Sequence, residues 1–345
     1  WFQRDTDQMI VPTDGVNTTT FGASAPKANH GSLRTTGWEL AIDGNYRFAN
    51  GLGINGTFMI ADAKSRIMAY GDTKSLSSWY VGKTYGEIWG YRTDRLYQKE
   101  DFVYNGDQIA QVWAKDGKYV ADFVPGEPSP VAGAKQMNKL ADPNGIYQDY
   151  FESGNFHFGP GDPKFKDLNG DGVINGGKGT ADDHGDLTII GNTQPRYQYS
   201  FHLGGDWKGF DFDFYFQGVG KRLWRPSKEG PFWGQYCRPY AQAYKWQLDN
   251  CWTPENLDAF LPKYTGYCGI SWQDKAIDRY LMDVSYIRLK NLQLGYSFPK
   301  KILEKLHMSK LMLYVSAENL WTWSPMHKYT KDFDVVTVCY GSDSD

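Results

Sequence analysis

RYQYSFHLGGDWKGFDFDFYFQGVG, residues Arg196–Gly220, alternates between aromatic and polar side chains along two arms. A period of two predicts β-strands, because successive side chains leave a strand on opposite faces. The Lys208-Gly209 break predicts a hairpin turn between arms of about ten residues or more, the length that a tilted strand needs to cross a bilayer. One face is aromatic or apolar, at Tyr197, Tyr199, Phe201, Leu203, Gly205, Trp207, Phe210, Phe212, Phe214 and Phe216.

The opposite face of this hairpin is largely polar, at Arg196, Gln198, Ser200, His202, Gly204, Asp206, Asp211, Asp213, Tyr215 and Gln217. An aromatic face towards lipid and a polar face towards a wet lumen are typical of a membrane barrel. We therefore predict an all-β fold, a transmembrane antiparallel β-barrel. The alternative is a soluble, calcium-stapled β-sandwich that binds carbohydrate, in which a second sheet would have to bury the phenylalanine row.

The composition of the chain limits its functional class. The 345 residues carry a net charge of −3, which argues against a nucleic-acid partner, since such proteins usually present a basic patch. The 13 Trp, 24 Tyr and 19 Phe suit the aromatic girdles of a membrane barrel and surfaces that stack on sugars. No apolar run reaches about 18 residues, so the sequence predicts no transmembrane helix. Since the chain opens on Trp1 and ends in loop-like residues, we expect it to be part of a longer protein.

The same alternation predicts five further strands, at Trp1–Val11, Gly37–Phe48, Leu52–Ala61, Tyr286–Phe298 and Leu311–Leu320. Asn50-Gly51 predicts a tight hairpin turn. A slip in phase between Leu289 and Leu292 predicts a β-bulge. Pro299–Ser309 is expected to hold one short helical turn.

Long irregular segments separate these strands. We predict a loop at Thr13–Arg34, two much longer loops at about 62–195 and 221–283, and a third long loop after Leu320. The short turns alternate with the long loops along the chain. Outer-membrane barrels place short turns on the periplasmic side and long loops outside the cell, so these loops are expected to be extracellular.

An acidic loop carries the sharpest chemical motif. Residues 167–174, DLNGDGVI, fit the first half of an EF-hand-type calcium loop. The oxygen donors would be the side chains of Asp167, Asn169 and Asp171 and the backbone carbonyl of Val173. Position twelve should be an acid but is Lys178, so an insertion would have to displace the closing ligand. The candidates for it are Asp182, Asp183 and Asp186. We predict a structural calcium ion, and a glycine-rich turn without metal is the alternative.

Catalytic motifs are not apparent, and we predict that the chain is not an enzyme. The six histidines do not cluster in the sequence, and no nucleophile elbow, phosphate-binding loop or HExxH pattern occurs. Two carboxylates in one cleft could act as a glycosidase pair. Regular alternation explains the candidates better as lining of the lumen, and these are Glu39, Asp43, Asp211 and Asp213.

Aromatic residues in the long loops are the candidates for contact with a ligand. We predict substrate binding at Trp89, Tyr91, Trp224 and Trp233. Such rings stack on sugars, but they also pack loops together, and packing is the alternative for each. Polar lumen groups such as Arg47, Arg196 and Gln198 would add hydrogen bonds.

The four cysteines fit no zinc spacing. Cys237, Cys251, Cys268 and Cys339 all fall in predicted outside loops, where oxidation is feasible. Four cysteines allow three complete pairings, and the sequence does not choose among them. Cys237 is a candidate partner of Cys251 or Cys268, and free thiols in packed loops are the alternative.

Several segments together resemble the C-terminal half of SusC/RagA-type TonB-dependent transporters of the Bacteroidetes outer membrane. The first two are KFKDLNGDGVIN and the run DLTIIGNTQPRYQYSFHLGGDWKGFDFDFYFQGVG. Four more are VGKTYGEIWGYRTDRLYQKEDF, WTPENLDAFLP, YIRLKNLQLGYSFPKKILEKL and LMLYVSAENLWTW. In this family an acid closes the acidic loop just before a T-[VI]-I-G stretch. The resemblance therefore implies Asp186 as the closing ligand.

The resemblance implies a function beyond these residues. The complete protein would be a 22-stranded barrel with an N-terminal plug, driven by the TonB complex, and residues 1–345 would be the C-terminal portion of that barrel without the plug or the final strand. A SusD-like surface lipoprotein would act as its lid, and the ligand would be an oligosaccharide or a peptide. The implied environment is outer-membrane lipid, and pairs of transporter and lipoprotein are expected to form a dimer.

Overall fold

The computed structural model describes residues 1–12, 22, 26–152, 156–227, 230, 232–236, 241–264 and 271–338. Within these residues most of the regular secondary structure is β-strand. The strands are β1 (Phe2–Pro12), β2 (Lys27–Arg47), β3 (Gly53–Ala69), β4 (Glu87–Gly90), β5 (Thr93–Leu96), β6 (Tyr104–Asn105), β7 (Gln108–Ile109), β8 (Gln111–Lys115), β9 (Lys118–Asp122), β10 (Lys135–Asn138), β11 (Pro163–Phe165), β12 (Thr188–Asn192), β13 (Arg196–Trp207), β14 (Phe210–Lys221), β15 (Leu223–Trp224), β16 (Cys251–Trp252), β17 (Leu261–Lys263), β18 (Met282–Asp283), β19 (Tyr286–Ser297) and β20 (Met312–Trp323).

Helices are short. Two α-helices lie in the described residues, α1 (Lys245–Asp249) and α2 (Lys300–Lys305). Single 3₁₀ turns lie at Lys99–Asp101, Asp149–Phe151, Gly234–Tyr236, Ser271–Asp274, Asp278–Tyr280 and Pro325–Lys328. None of the helices in the described residues has the length and apolar character needed to cross a membrane.

Seven long strands form one antiparallel sheet in the order β1-β2-β3-β13-β14-β19-β20. The hairpin predicted at Arg196–Gly220 is β13 and β14, which confirms the prediction. Its turn places Lys208 at φ 48° and Gly209 at φ 93°. Positive φ at both central residues is the mirror-image turn that matches the twist of a hairpin, and glycine adopts it without strain.

The register of the sheet gives it two distinct faces. Phe201 lies opposite Phe216 on one side and opposite Phe58 on the other, so the aromatic face runs across three strands. His202, Tyr215 and Thr57 form the corresponding row on the polar face. His202 contacts Asp213 at 2.5 Å, between Nε2 and Oδ2. The alternation read from the sequence therefore describes the whole centre of the sheet.

The aromatic face is not packed against a second sheet anywhere in the described residues. Phe210 is 58% exposed, Ile42 57% and Trp321 50%. A water-soluble sandwich would bury such side chains, each of which is worth about 1.5–3 kcal/mol on burial. The sandwich alternative is therefore wrong, because the sheet is a single layer whose apolar side is open.

Two predicted boundaries are wrong. The predicted Thr13–Arg34 loop contains the first part of β2, which begins at Lys27 and pairs Lys27 with Pro12 of β1. Residues 13–21 and 23–25 of that predicted loop lie outside the described residues. The long loop predicted from residue 62 begins later, because β3 continues to Ala69 opposite Ser32 of β2. These extensions carry charged and polar residues on both faces, so alternation gives no signal there.

The remaining local predictions are confirmed. The pairing of β19 with β14 skips Lys290, which is the extra residue of a bulge between Leu289 and Leu292. Helix α2 occupies the predicted turn after Pro299. The three short connections, after β2, β13 and β19, lie at one end of the sheet, and the long segments lie at the other.

Most of the hydrophobic core lies in the long segments, and the sheet contributes Val219 and Tyr286 to it. We call it the loop core, a cluster that includes Tyr91, Tyr97, Phe102, Phe151, Phe158, Phe165, Ile174, Trp224, Phe232, Trp233, Tyr236, Trp246, Leu261, Trp272, Ile277, Tyr280, Met282 and Val284. Short two- and three-stranded sheets hold these segments together, among them β10-β8-β9, β11-β5 and β12-β4. The long segments thus form a folded cap at one end of the sheet.

Candidate functional site

The loop core is built from aromatic rings in contact. Trp272 stacks on Tyr280 with ring centroids 5.6 Å apart, and Trp233 meets the same Tyr280 edge-on at 5.1 Å. Phe232 lies 5.1 Å from Trp246. Offset and edge-to-face pairs of this kind add about 0.5–1.5 kcal/mol beyond the area that they bury. The cap is therefore held in one shape by packing between distant segments.

Three of the four aromatic residues predicted to bind substrate belong to this core. Tyr91 and Trp233 are each 3% exposed, and Trp224 is 8% exposed. Trp89 is half-buried, and its indole N–H donates to Glu87 Oε1 at 2.9 Å and to the Tyr80 hydroxyl at 3.1 Å. Burial favours the packing alternative for Tyr91, Trp224 and Trp233, and a role in substrate binding stays a prediction for all four.

The acidic loop is closed by Asp186. Its carboxylate is fully buried and accepts the backbone N–H groups of Leu168 at 2.7 Å and Asn175 at 2.9 Å. The two rival acids point elsewhere, since Asp182 pairs with Lys74 and Asp183 with Lys178. Asp186 therefore fastens the two ends of the turn to each other.

The predicted calcium donors already have protein partners. Asp167 accepts N–H groups from Gly170 at 2.6 Å and Gly172 at 2.9 Å, and Asp171 accepts one from Val173 at 2.8 Å. Asn169 donates its side-chain amide to Asp171 at 2.9 Å. Across the described residues, no three His, Cys, Asp or Glu side chains converge as they would around a metal. The donor chemistry suits calcium, but hydrogen bonds alone account for the turn, and the ion stays a prediction.

Chelation tests the calcium prediction. If the ion is bound, a chelator is expected to make residues 167–186 of the parent sensitive to protease. Removing a ligand whose free concentration is a hundred times its Kd lowers the stability of the folded state by about 2.7 kcal/mol. The double variant Asp167→Ala with Asp171→Ala should then be protease-sensitive with or without chelator. A parent loop that resists protease equally in chelator would contradict the prediction.

A buried polar centre lies beside the loop core. Asp162 is 3% exposed, and its carboxylate accepts the backbone N–H of Gly159 at 3.0 Å. Burial raises the pKa of Asp162 to about 7, although the charge of Lys263 opposes this. Glu152 contacts His157 at 3.0 Å, between Oε2 and Nδ1. Burial raises the pKa of Glu152, and the hydrogen bond to Glu152 raises the pKa of His157.

A cavity of ≈ 680 Å³ opens on the polar face of the sheet, beneath the cap. Polar side chains on this wall include Gln198, Ser200, Gln217, Arg222, Arg288 and Lys290. Arg288 is anchored, since it donates to Asp334 at 2.7 Å and to the Thr322 hydroxyl at 2.8 Å. Lys290 donates to the Asn319 side chain at 3.0 Å across the bulge.

The sequence identified only part of this wall. Gln198, which the sequence predicts to line a lumen, lies on the polar face in the wall of this cavity, and alternation along β19 could have added Arg288. Lys290 was missed because the bulge shifts the phase, and Arg222 was missed because it follows the end of β14. Of the other expected lumen groups, Arg47 pairs with Asp206 at the hairpin end. Arg196 pairs with Asp62, a neighbour of Trp38 on the aromatic face, so the expectation that it faces the lumen is wrong.

The cysteine predictions fall mostly outside the described residues. Cys237, Cys268 and Cys339 are not among them. Cys251 is buried, and its thiol donates to the carbonyl of Leu248 at 3.2 Å. It forms no disulfide with a described residue, and the candidate pairs stay predictions.

Comparison with curated proteins identifies the relatives of the chain. Over 189 residues it is 31% identical to TonB-dependent receptor P3 of Formosa agariphila, a match that covers 52% of this chain and 17% of the receptor. Over 307 residues it is 23% identical to TonB-dependent receptor P26 of the same organism, covering 88% of this chain and 26% of the receptor. The chain is a homologue of TonB-dependent receptors. No family model matches it.

The fold of this homologue is similar to that of solved peptide transporters. It matches the RagAB peptide transporter with a TM-score of 0.52 and 17% identity, over 94% of this chain and 29% of that one. It matches the RagAB peptide importer in the closed-closed state with a TM-score of 0.53, over 93% of this chain and 29% of that one. The antiparallel sheet therefore aligns with part of the RagA barrel.

These relationships confirm two predictions. The resemblance to TonB-dependent transporters read from the sequence is confirmed, and so is the expectation that the chain is not an enzyme, since these relatives are receptors and transporters. TonB-dependent receptors sit in the outer membrane. The chain spans less than a third of the length of each protein that it matches here.

Proposed function

We propose that the chain is part of a transporter that imports oligosaccharides or peptides across the outer membrane, driven by the TonB complex and covered by a SusD-like lipoprotein. Residues 1–345 are the C-terminal portion of a 22-stranded barrel in this proposal. Segments 70–195 and 222–285 are its extracellular cap. The two-faced single-layer sheet carries the proposal, because only a sheet between lipid and a wet lumen needs one open apolar face and one open polar face.

The edges of the sheet support the same proposal. Strands β1 and β20 each have one neighbour in the sheet, β2 and β19 respectively. An unpaired strand edge is untenable in lipid, because its backbone groups have no water to bind. Further strands of the complete protein would pair with both edges and close the barrel.

The polar wall beneath the cap favours a ligand that carries carboxylates, and hence a peptide over a neutral sugar. Arg222, Arg288 and Lys290 bring three cations to one cavity, against the single carboxylate of Glu39 in its lining. Asp334 offsets part of the charge of Arg288. Amide groups of Gln198 and Gln217 would bind backbone or hydroxyl groups of either ligand.

Uptake by cells that express the complete protein tests this function. Import of labelled acidic peptides is expected to require TonB and the neighbouring lipoprotein. Lys290→Gln is expected to raise the peptide concentration that half-saturates uptake by about tenfold. This is the scale of one charge-assisted hydrogen bond. A neutral peptide of equal length and a neutral oligosaccharide serve as controls, whose uptake the substitution should leave unchanged. Uptake that continues without TonB would contradict the proposal.

A further inference from the structure

A second cavity, of ≈ 390 Å³, opens on the aromatic side of the sheet at the end that bears the cap. The charged and hydrogen-bonding side chains in its lining are Lys64, Thr84, Glu87, Asn192, Gln194, Arg196, Tyr197 and Lys221. Its sheet strands, β3, β13 and β14, are central ones. Each of these three strands has a neighbouring strand of this chain on both sides.

The cavity lies at the outer limit of the apolar belt. Asp62 is paired with Trp38 across β2 and β3, and its carboxylate also accepts the backbone N–H of Tyr197 at 3.3 Å. Rings such as those of Trp38 and Tyr197 concentrate at the level of lipid headgroups. Lys64 is the next residue outward from Asp62 on the same face of β3. Its amine is therefore at headgroup height.

Three cations, Lys64, Arg196 and Lys221, line the cavity together with one carboxylate, Glu87. Arg196 is paired with Asp62 at 2.5 Å. The carboxylate of Glu87 is occupied by the Thr84 N–H at 2.9 Å, by the Trp89 indole at 2.9 Å and by the Tyr80 hydroxyl. Lys64 and Lys221 have no anionic partner within 4.0 Å in the described part of the chain. Two free ammonium groups thus remain for an external anion.

We propose that this cavity binds the phosphate group of a glycolipid in the outer leaflet. Lys64 and Lys221 neutralise the phosphate, as lysine does in many phosphate sites. Thr84 and Gln194 face the attached sugar, and Trp38 and Tyr197 lie against the upper part of the acyl chains. The inference rests on the proposed placement of the aromatic face in lipid, but on no property of the imported ligand.

Lipid retention by the purified complete transporter tests the inference. Protein in mild detergent is incubated with lipid A, with lipid A after phosphatase treatment, or with inorganic phosphate, and bound lipid is counted by native mass spectrometry. Lys64→Gln with Lys221→Gln is expected to lower lipid A binding by about tenfold or more. Lys300→Gln with Lys301→Gln, at the opposite end of the sheet, is the matched control and should bind as the parent does. Resistance of the folded barrel to unfolding in detergent confirms that each variant is folded.

Each of these binding measurements gives a decisive result. Loss of lipid A in the first variant alone, together with weak binding of the dephosphorylated lipid by the parent, supports the site. Equal retention by the two variants, equal binding of dephosphorylated lipid, or saturation by inorganic phosphate without retention of lipid A would overturn it. No transported ligand is present, so failed uptake in cells does not affect this outcome. A sheet that does not face lipid would be detected separately by arginine substitutions on the aromatic face.

Discussion

Replacing Phe201 and Phe216 together with arginine is expected to prevent the complete protein from inserting into the outer membrane. The two rings face each other across β13 and β14, with centroids 6.3 Å apart on the open aromatic side. An arginine near the middle of the bilayer costs about 2–4 kcal/mol on the lipid face of a barrel, so the pair costs about 4–8 kcal/mol. Heat-modifiable migration of membrane fractions on gels measures the inserted, folded barrel.

The control uses the same row of the sheet and the opposite face. His202 and Tyr215 are the adjacent cross-strand pair, and both side chains lie on the polar side. His202→Arg with Tyr215→Arg adds two arginines to the polar face, where His202 already contacts Asp213, and insertion should remain near the parent level. Equal loss in both double variants would show that the aromatic face does not meet lipid.

The sheet could be predicted because its signal is local. Each strand from β13 to β20 that crosses the centre repeats one rule, an apolar residue every second position, and a turn such as Lys208-Gly209 marks where the rule restarts. The same rule failed for Lys27–Arg34. Charged and polar residues lie on both faces there, so neither face carries a continuous apolar row, and the strand is held by its pairing with β1 and β3.

The cap could not be predicted in the same way, because its core is made by contacts between distant residues. Tyr91 meets Phe151 at 4.9 Å and Trp233 meets Trp272 at 6.2 Å, and no periodicity links the members of either pair. A loop tryptophan that stacks on sugar has the same local sequence as one that packs, so ligand residues could not be separated from core residues. The acidic loop could be predicted in part. Its motif and the resemblance together located Asp186 as the closing acid, but neither could show that its carboxylate would cap two backbone N–H groups.

The buried carboxyl of Asp162 makes the stability of the cap depend on pH. Its pKa is raised from 3.8 to about 7 by burial, so the folded cap binds a proton that the unfolded chain has lost. The stabilisation is complete below about pH 4, falls as the pH rises, and is gone above about pH 7. Between pH 5 and pH 8 the cap is expected to lose about 3 kcal/mol of stability, at about 1.4 kcal/mol for each pH unit below the folded pKa.

Asp162→Asn is expected to remove most of this dependence and to make the cap more stable than the parent at pH 8. An asparagine oxygen still accepts the N–H of Gly159, but no charge is buried at high pH. Glu152 and His157 leave a smaller slope of the same sign, because their pKa values are also raised. Tryptophan fluorescence during thermal unfolding at pH 5 and pH 8 measures the difference.

Asp182→Asn is the matched control. The pKa of Asp182 is lowered to about 2 by its exposed pairing with Lys74, so its contribution is lost only below about pH 4. A parent cap equally stable at pH 5 and pH 8 would show that the carboxyl of Asp162 is not desolvated, and so would an Asp162→Asn variant that keeps the full slope.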